Sequence, residues 1–258
     1  MCLVLLSWKN HPKYSLIVAS NRDEYFDRQT LPAKRWEDFP NVIGGRDLLR
    51  NGTWFGITDS GRWAAVTNYR EQQTYENYST SRGDLTKNYL TGTASPEEYA
   101  SMIKKESRDF NGFNLLIGDR ESIYFATNRA LGEQTAMSTK LSPGCHGLSN
   151  GALNSDWPKV RDGTYKLAKI VRDNALISDG DLLKILRDKR RASVDELPKT
   201  GVNLEWEKTL SSKFISSEVY GTRASTLLLV ERETHKTHFI ETTFGLNSEE
   251  TQRFEAIV

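Results

Sequence analysis

The chain has 258 residues, 35 Lys+Arg against 34 Asp+Glu, a net charge of +1, 10% aromatic residues and two cysteines. That length supports a sizeable core, and the balanced charge gives no global pull toward nucleic acid. No run of 18 apolar residues exists to form a membrane-spanning helix, and two cysteines give no disulfide framework. The predicted elements begin with a β-hairpin: residues 2–8 are apolar and unbroken, Asn10-His11-Pro12-Lys13 supplies the turn, and residues 15–20 form the second strand. Without polar alternation, both strands read as part of a sheet buried on two faces. A turn centred near residues 11 and 12 sets Cys2 opposite Asn21, with Arg22 and Asp23 beside the start of the chain.

Further strands are predicted over 54–58 and 62–67, 113–118 and 122–127, and 225–230 and 237–241. Ser95-Pro96-Glu97-Glu98 is a capping box with Pro in the first turn, opening a helix to about residue 107. Residues 139–144 read as turn-like, and the glycines of 144–150 permit a tight loop. Val160, Thr164, Leu167 and Val171 recur at helical spacing in a segment beginning near Asp156, and a shorter helix is expected over 181–189. No repeat, low-complexity tract or linker divides the chain, so a single domain over 1–258 is expected. Hairpins interleaved with helices, without regular βαβ units, predict a layered α+β architecture.

The candidate chemistry starts at Cys2. If Met1 is removed, the chain opens on a residue carrying a thiol and a free α-amine, a nucleophile with its own general base. The competing reading is a small apolar residue opening a strand. Asn21-Arg22-Asp23-Glu24 closes the second strand and reads as a site or a solvated turn; beside Cys2, Arg22 can lower the thiol pKa and Asp23 can hold the α-amine. Asn68, closing an apolar strand, can donate its amide to a developing oxyanion or bond its own turn, and Asn150 is a second such donor. Arg223 stands at the mouth of the apolar run Leu227-Leu228-Leu229-Val230. Gly147-Leu148-Ser149-Asn150-Gly151 matches a serine nucleophile elbow, but that motif needs a buried strand just before it, and none is expected there. The opening stretch lacks a basic segment and its apolar part stops at Ser7-Trp8-Lys9, so no secretory leader is expected, and the setting is read as cytoplasmic.

Cys2, Asn-Arg-Asp-Glu at 21–24, Val-Thr-Asn-Tyr-Arg at 66–70, His-Gly-Leu-Ser-Asn at 146–150 and Thr-Arg-Ala-Ser-Thr at 222–226 together resemble the NRDE family, also called the transport and Golgi organisation protein 2 family. The resemblance spans nearly the whole chain and implies an α+β fold, a four-layer αββα sandwich of the N-terminal-nucleophile (Ntn) hydrolase type. By similarity to the cysteine branch of that fold, Cys2 is the nucleophile with Arg22 and Asp23 as neighbours, Asn68 and Asn150 supply amide donors, and Arg223 orients the attacked group. Members of that branch space the arginine and acid differently, which leaves open whether Asp23 or Glu24 faces the amine.

The resemblance implies first a cytoplasmic trafficking protein for haem or a similar hydrophobic ligand, linked to lipid homeostasis. The alternative is a Cys2-dependent amidohydrolase cleaving a linear N-acyl amide through an acyl-enzyme, and the third reading is acyl-CoA or lipid binding. No cofactor is required and no metal site is expected. Haem b enters only as non-covalent cargo, with Cys2, Arg22, Arg223 and His146 as its contacts and Cys145, His235 and His238 as other axial candidates. The expected partner is a small hydrophobic ligand, with neither nucleic acid nor an integral membrane segment.

Overall fold

The computed structural model describes residues 2–71, 80–130, 135–245 and 248–257; Met1, on whose removal the chemistry of Cys2 turns, lies outside them. In chain order the strands and helices are β1 (Cys2–Trp8), β2 (Tyr14–Tyr25), β3 (Thr30–Arg35), β4 (Val42–Asp47), β5 (Phe55–Thr58), β6 (Trp63–Asn68), α1 (Arg82–Thr91) and α2 (Pro96–Glu106). There follow β7 (Phe113–Gly118), β8 (Ile123–Thr127), β9 (Met137–Lys140), β10 (Gly144–Leu148), α3 (Pro158–Asp173), α4 (Asp179–Leu186), α5 (Leu204–Leu210), β11 (Tyr220–Glu231), β12 (Lys236–Phe244) and β13 (Glu249–Ile257). They fall into two compact units. Among the described residues, the first comprises those of 2–27, 143–149 and 153–257, and the second those of 28–142 and 150–152.

The first unit carries a six-stranded antiparallel sheet in the order β10-β1-β2-β11-β12-β13. The hairpin forms as expected, but its register differs by one residue: Cys2 pairs with Arg22 and Leu3 with Asn21. The cause is His11, which enlarges the turn. Its Nδ1 accepts the backbone N–H groups of Lys13 and Tyr14, both at 3.1 Å, and its Nε2 lies 2.9 Å from the Asn174 carbonyl. The turn therefore centres on Pro12, and Lys9 takes a positive φ of 48° to enter it.

Strand alternation now assigns faces. Leu3 and Leu5 of β1, Ile17 and Ala19 of β2 and Leu227 and Leu229 of β11 pack with Val160, Leu167 and Val171 of α3 and with Leu182, Ile185 and Leu186 of α4. Each such side chain contributes roughly 1.5–3 kcal/mol when fully buried. Asn21 and Asp23 belong to this helix-covered face, and Cys2 and Arg22 to the opposite one.

The segment 144–148, expected as a loop, is strand β10, paired with β1. Its Gly147 serves helix packing: an added Cβ would collide with Thr164 Oγ1 and stand 2.8 Å from Val160 Cγ1. Both neighbours are β-branched and stiff in a helix. Gly147→Ala is expected to destabilise the protein by about 1–3 kcal/mol, read as a lower urea midpoint at unchanged slope.

Behind α4, Lys213 is 5% exposed and lies 2.5 Å from Asp162 and 3.0 Å from Asp188, while Arg190 approaches Asp188 at 2.6 Å. The hydrogen bond from Arg190, aided by Lys213, holds the Asp188 carboxyl well below the usual carboxylate range against the opposing effect of burial. A carboxyl depressed on folding gives stability that is complete above its unfolded pKa of about 3.9 and is lost as pH falls toward the native value. Asp188→Asn should therefore lower stability at neutral pH and flatten its decline below about pH 4, measured by urea titrations across pH 3–7.

The second unit is a seven-stranded antiparallel meander, β3 to β9 in sequential order. Its core joins Val42, Ala64, Val66, Leu115 and Ile117 of the sheet to Leu85, Tyr89 and Leu90 of α1 and Tyr99, Ala100 and Ile103 of α2. The predicted capping box is present: Glu98 N donates to Ser95 Oγ, and Ser95 N donates to Glu98 Oε2. Asn128 ties the end of β8 to the loop after α2, donating to the Ser107 and Phe110 carbonyls and accepting from Phe113 N.

Candidate active site

In the first unit, Cys2 opens β1, and Ser149 anchors that strand end by donating from Oγ to the Cys2 carbonyl at 2.8 Å. A strand does precede Ser149, contrary to the sequence reading, yet its fully buried hydroxyl braces Cys2 and no helix follows before α3. The Cys2 sulfur accepts the backbone N–H of Asp23. Burial nevertheless raises the thiol pKa, with the Asp23 charge adding to the rise and Arg22 opposing it. Arg22 thus pulls in the expected direction without winning. A thiol so placed needs a base to become nucleophilic at neutral pH.

Asp23 is 1% exposed and its Oδ1 accepts from Thr222 Oγ1 at 2.7 Å. Burial raises its carboxyl pKa, and the opposing influences include Lys159, the Thr222 hydrogen bond and Arg22. Glu24 sits nearer solvent: its Oε2 is 4.0 Å from Arg22 Nη2, and its Oε1 accepts from Tyr25 N. Of the two acids, only Asp23 is deeply buried and coupled to the thiol. Arg223 is the extra residue of a β-bulge, since Thr222 pairs with Asp23 and Ala224 with Arg22. Its Nη1 donates to the Tyr25 carbonyl at 2.8 Å, so the side chain braces the end of β2.

Two contributors were given no role of their own by the sequence reading, although Asn21 stood in its candidate motif. Asn21, fully buried, donates from Nδ2 to the Leu186 and Lys213 carbonyls at 2.9 and 2.7 Å and accepts from Ser225 Oγ at 2.6 Å. This locks β2 to the end of α4 immediately before Arg22. Lys159, 3% exposed in the first turn of α3, is the second. The available signal was a lysine four residues before Gly163, on the helix stripe that meets the sheet.

Elsewhere in this unit, His146 pairs across from Leu6, is 9% exposed, and has Nδ1 3.1 Å from Asn154 Nδ2. Cys145 accepts from Asn10 Nδ2 at 3.6 Å. His238 lies 3.1 Å from a Glu255 oxygen, and His235 occupies a turn with φ 56°. Among the described residues, no group of three or more His, Cys, Asp or Glu could hold a metal ion.

In the second unit, Asn68 ends β6, and its carbonyl accepts from Asn150 Nδ2 at 2.8 Å. Asn150 is fully buried, and its own carbonyl accepts from Arg70 N at 2.6 Å. Asn114 holds this segment by donating to Gly151 O and Thr67 Oγ1. The Asn150 side chain is thus tied to the Asn68 backbone, with one of its N–H groups used in that tie. Cys2, Arg22 and Asp23 form the corresponding group of the first unit.

No helix among the described residues is long and apolar enough to cross a membrane. Comparison with solved structures shows the fold. A Caenorhabditis elegans N-acylethanolamine-hydrolyzing acid amidase ortholog superposes with a TM-score of 0.54 at 11% identity, covering 88% of this chain and 92% of that one. A C2A mutant of the conjugated bile acid hydrolase from Clostridium perfringens gives 0.50 at 10% identity, covering 98% and 92%. Two antiparallel sheets with helices, in this likeness, make the fold α+β and Ntn-hydrolase-like. In sequence, the human Transport and Golgi organization protein 2 homolog is 30% identical over 256 residues, 92% of this chain and 91% of its own length. The family model for Transport and Golgi organisation 2 matches residues 1–245, and the chain is a member of that family.

Proposed function

We propose that the protein is an N-terminal cysteine amidohydrolase that cleaves linear N-acyl amides after loss of Met1. The observation carrying this reading is the Cys2 sulfur at a strand end, accepting a backbone N–H from Asp23 with Arg22 paired opposite. The naming of the first structural neighbour for hydrolysis of N-acylethanolamines, and the choice of C2A in the second, agree with it. In the proposed reaction the α-amine of Cys2 takes the thiol proton, and the sulfur bonds to the amide carbonyl carbon. Collapse of the tetrahedral intermediate breaks the C–N bond, and the leaving amine receives that proton. Water then attacks the thioester, giving the carboxylic acid and the free thiol. Asp23 holds the amine, and Arg223, from the same unit, is the proposed group for the developing oxyanion. A single such donor is worth about 2.7–4 kcal/mol of barrier where one has been removed.

The test is intact mass spectrometry of the processed chain incubated with a panel of N-acyl amides. An acyl adduct mapping to Cys2 and absent from Cys2→Ala is the expected result, and no adduct with any acyl chain would end this reading. Haem titration followed at the Soret band, and acyl-CoA binding, on the same preparation read the carrier alternatives. Saturable binding without any adduct would favour them.

A further inference from the structure

Asp23 is gripped at its N–H, its carbonyl and its carboxylate. The N–H meets the Cys2 sulfur, the carbonyl accepts from the Tyr220 hydroxyl at 3.0 Å, and Oδ1 accepts from the Thr222 hydroxyl at 2.7 Å. The last two partners come from β11, and the bulge in that strand selects them. Ser225 pairs with Asn21 and Ala224 with Arg22, so an unbroken ladder would set Arg223 against Asp23. The extra residue slips the ladder by one, and Thr222 stands there instead. The surroundings of Thr222, which is 3% exposed, also fix the direction of its hydrogen bond. Thr222 N donates to the Ile215 carbonyl at 2.9 Å, and Ile215 N donates to Thr222 Oγ1 at 2.9 Å. A hydroxyl has one proton to give; with an N–H already aimed at its oxygen, that proton goes to Asp23. The terminal torsion of an aspartate is broad and roughly two-fold. Holding Oδ1 therefore sets the plane of the carboxylate.

We propose that Thr222 is a positioning residue for the nucleophile: its hydroxyl, oriented by the Ile215 N–H, holds the Asp23 carboxylate in the plane from which it serves the Cys2 amine. The inference rests on Cys2 being the nucleophile, as proposed above. Thr222 acts through Asp23, and this gives its removal a distinctive sign. Donation to a carboxylate favours the charged form, so the hydroxyl works against the burial that drives Asp23 toward protonation. The other charged and titratable groups acting on Asp23 are Lys159 from α3, Arg22 on β2 and Cys2 on β1.

The experiment is an NMR titration of the Asp23 carboxyl in the processed chain, isotope-labelled at its aspartate carboxyls and assigned by the signal missing from Asp23→Asn; it needs no substrate. In Thr222→Val, which keeps the shape and loses the hydroxyl, the midpoint should rise by about one pH unit, the share of one donor where two or three together take a carboxylate below about 2. Thr222→Ser should keep the parent midpoint. A threonine that serves packing alone would lower the melting temperature of Thr222→Val and leave the midpoint in place. That result, or a Thr222→Ser midpoint matching that of Thr222→Val, overturns the proposal. Should Thr222→Val not fold, Thr222→Cys supplies the decision: its weak donor should move the midpoint upward, and an unmoved midpoint overturns the proposal. The second readout is the initial rate of adduct formation at Cys2 with the N-acyl amide that gives the strongest adduct. It should be about 10-fold lower in Thr222→Val, the rate equivalent of one pH unit, and restored in Thr222→Ser; equal rates in Thr222→Val and the parent overturn the proposal. Absence of acyl adducts from every chain, the parent included, alongside the expected titrations would count against the amidohydrolase reading alone.

Discussion

Asn21→Asp is expected to produce the largest loss of stability of any isosteric change in the first unit. The Asn21 Nδ2 faces two carbonyls, those of Leu186 and Lys213. Replacing that nitrogen by oxygen sets three acceptors together with no proton between them. An unsatisfied buried group costs about 1–3 kcal/mol, more when charged. Two orphaned carbonyls and a buried carboxylate therefore place the total at roughly 4 kcal/mol or above, the range reserved for named structural faults. At about 2–4 °C per kcal/mol for a chain of this size, the melting temperature should drop by roughly 10 °C. A drop under about 2 °C would show that these hydrogen bonds contribute little.

Retention of a residue ahead of Cys2 should abolish amide cleavage while sparing the fold. In that chain the nitrogen of Cys2 is an amide without a basic lone pair, and the thiol, already raised by burial, has no proton acceptor of its own. Loss of a positioned general base typically lowers a rate about 10²–10⁴-fold. The comparison uses a cleavable leader, either removed to leave Cys2 first or left in place, assayed on the N-acyl amide that gives the strongest adduct. Equal rates in the two preparations would exclude the α-amine as base. Equal melting temperatures would confirm that the change is chemical.

Eight strands were legible in the sequence, β1, β2, β5, β6, β7, β8, β11 and β12. The clearest were those whose apolar runs are unbroken, β1, β2, β7 and β11, because burial on both faces leaves no competing period. The register of the first hairpin was not legible, since it depends on His11 reaching the Asn174 carbonyl across 163 residues of chain. Strand β10 was hidden by Gly144 and Gly147, residues that read as a turn; Gly147 is needed for the approach of α3. β3 contains Pro32 and lies at a sheet edge, where proline is admitted, so it lacked a strand signature. Within the candidate site, Cys2, Arg22 and Asp23 were recognised as neighbours because hairpin geometry alone brings them together. Lys159 was not, because its place follows from how a helix lies on the sheet.

The pairing of β2 with β11 carries a consequence for biosynthesis. Asp23 and Thr222, bonded to each other, are separated by 199 residues. The amino-terminal hairpin therefore leaves the ribosome long before its inner neighbour has been made. Until then its longer strand offers an open hydrogen-bonding edge, a condition that favours self-association. Closure must wait for the carboxyl-terminal third, so refolding should be slow for a protein of this length. Truncations ending before residue 220 should yield aggregates rather than a smaller native form.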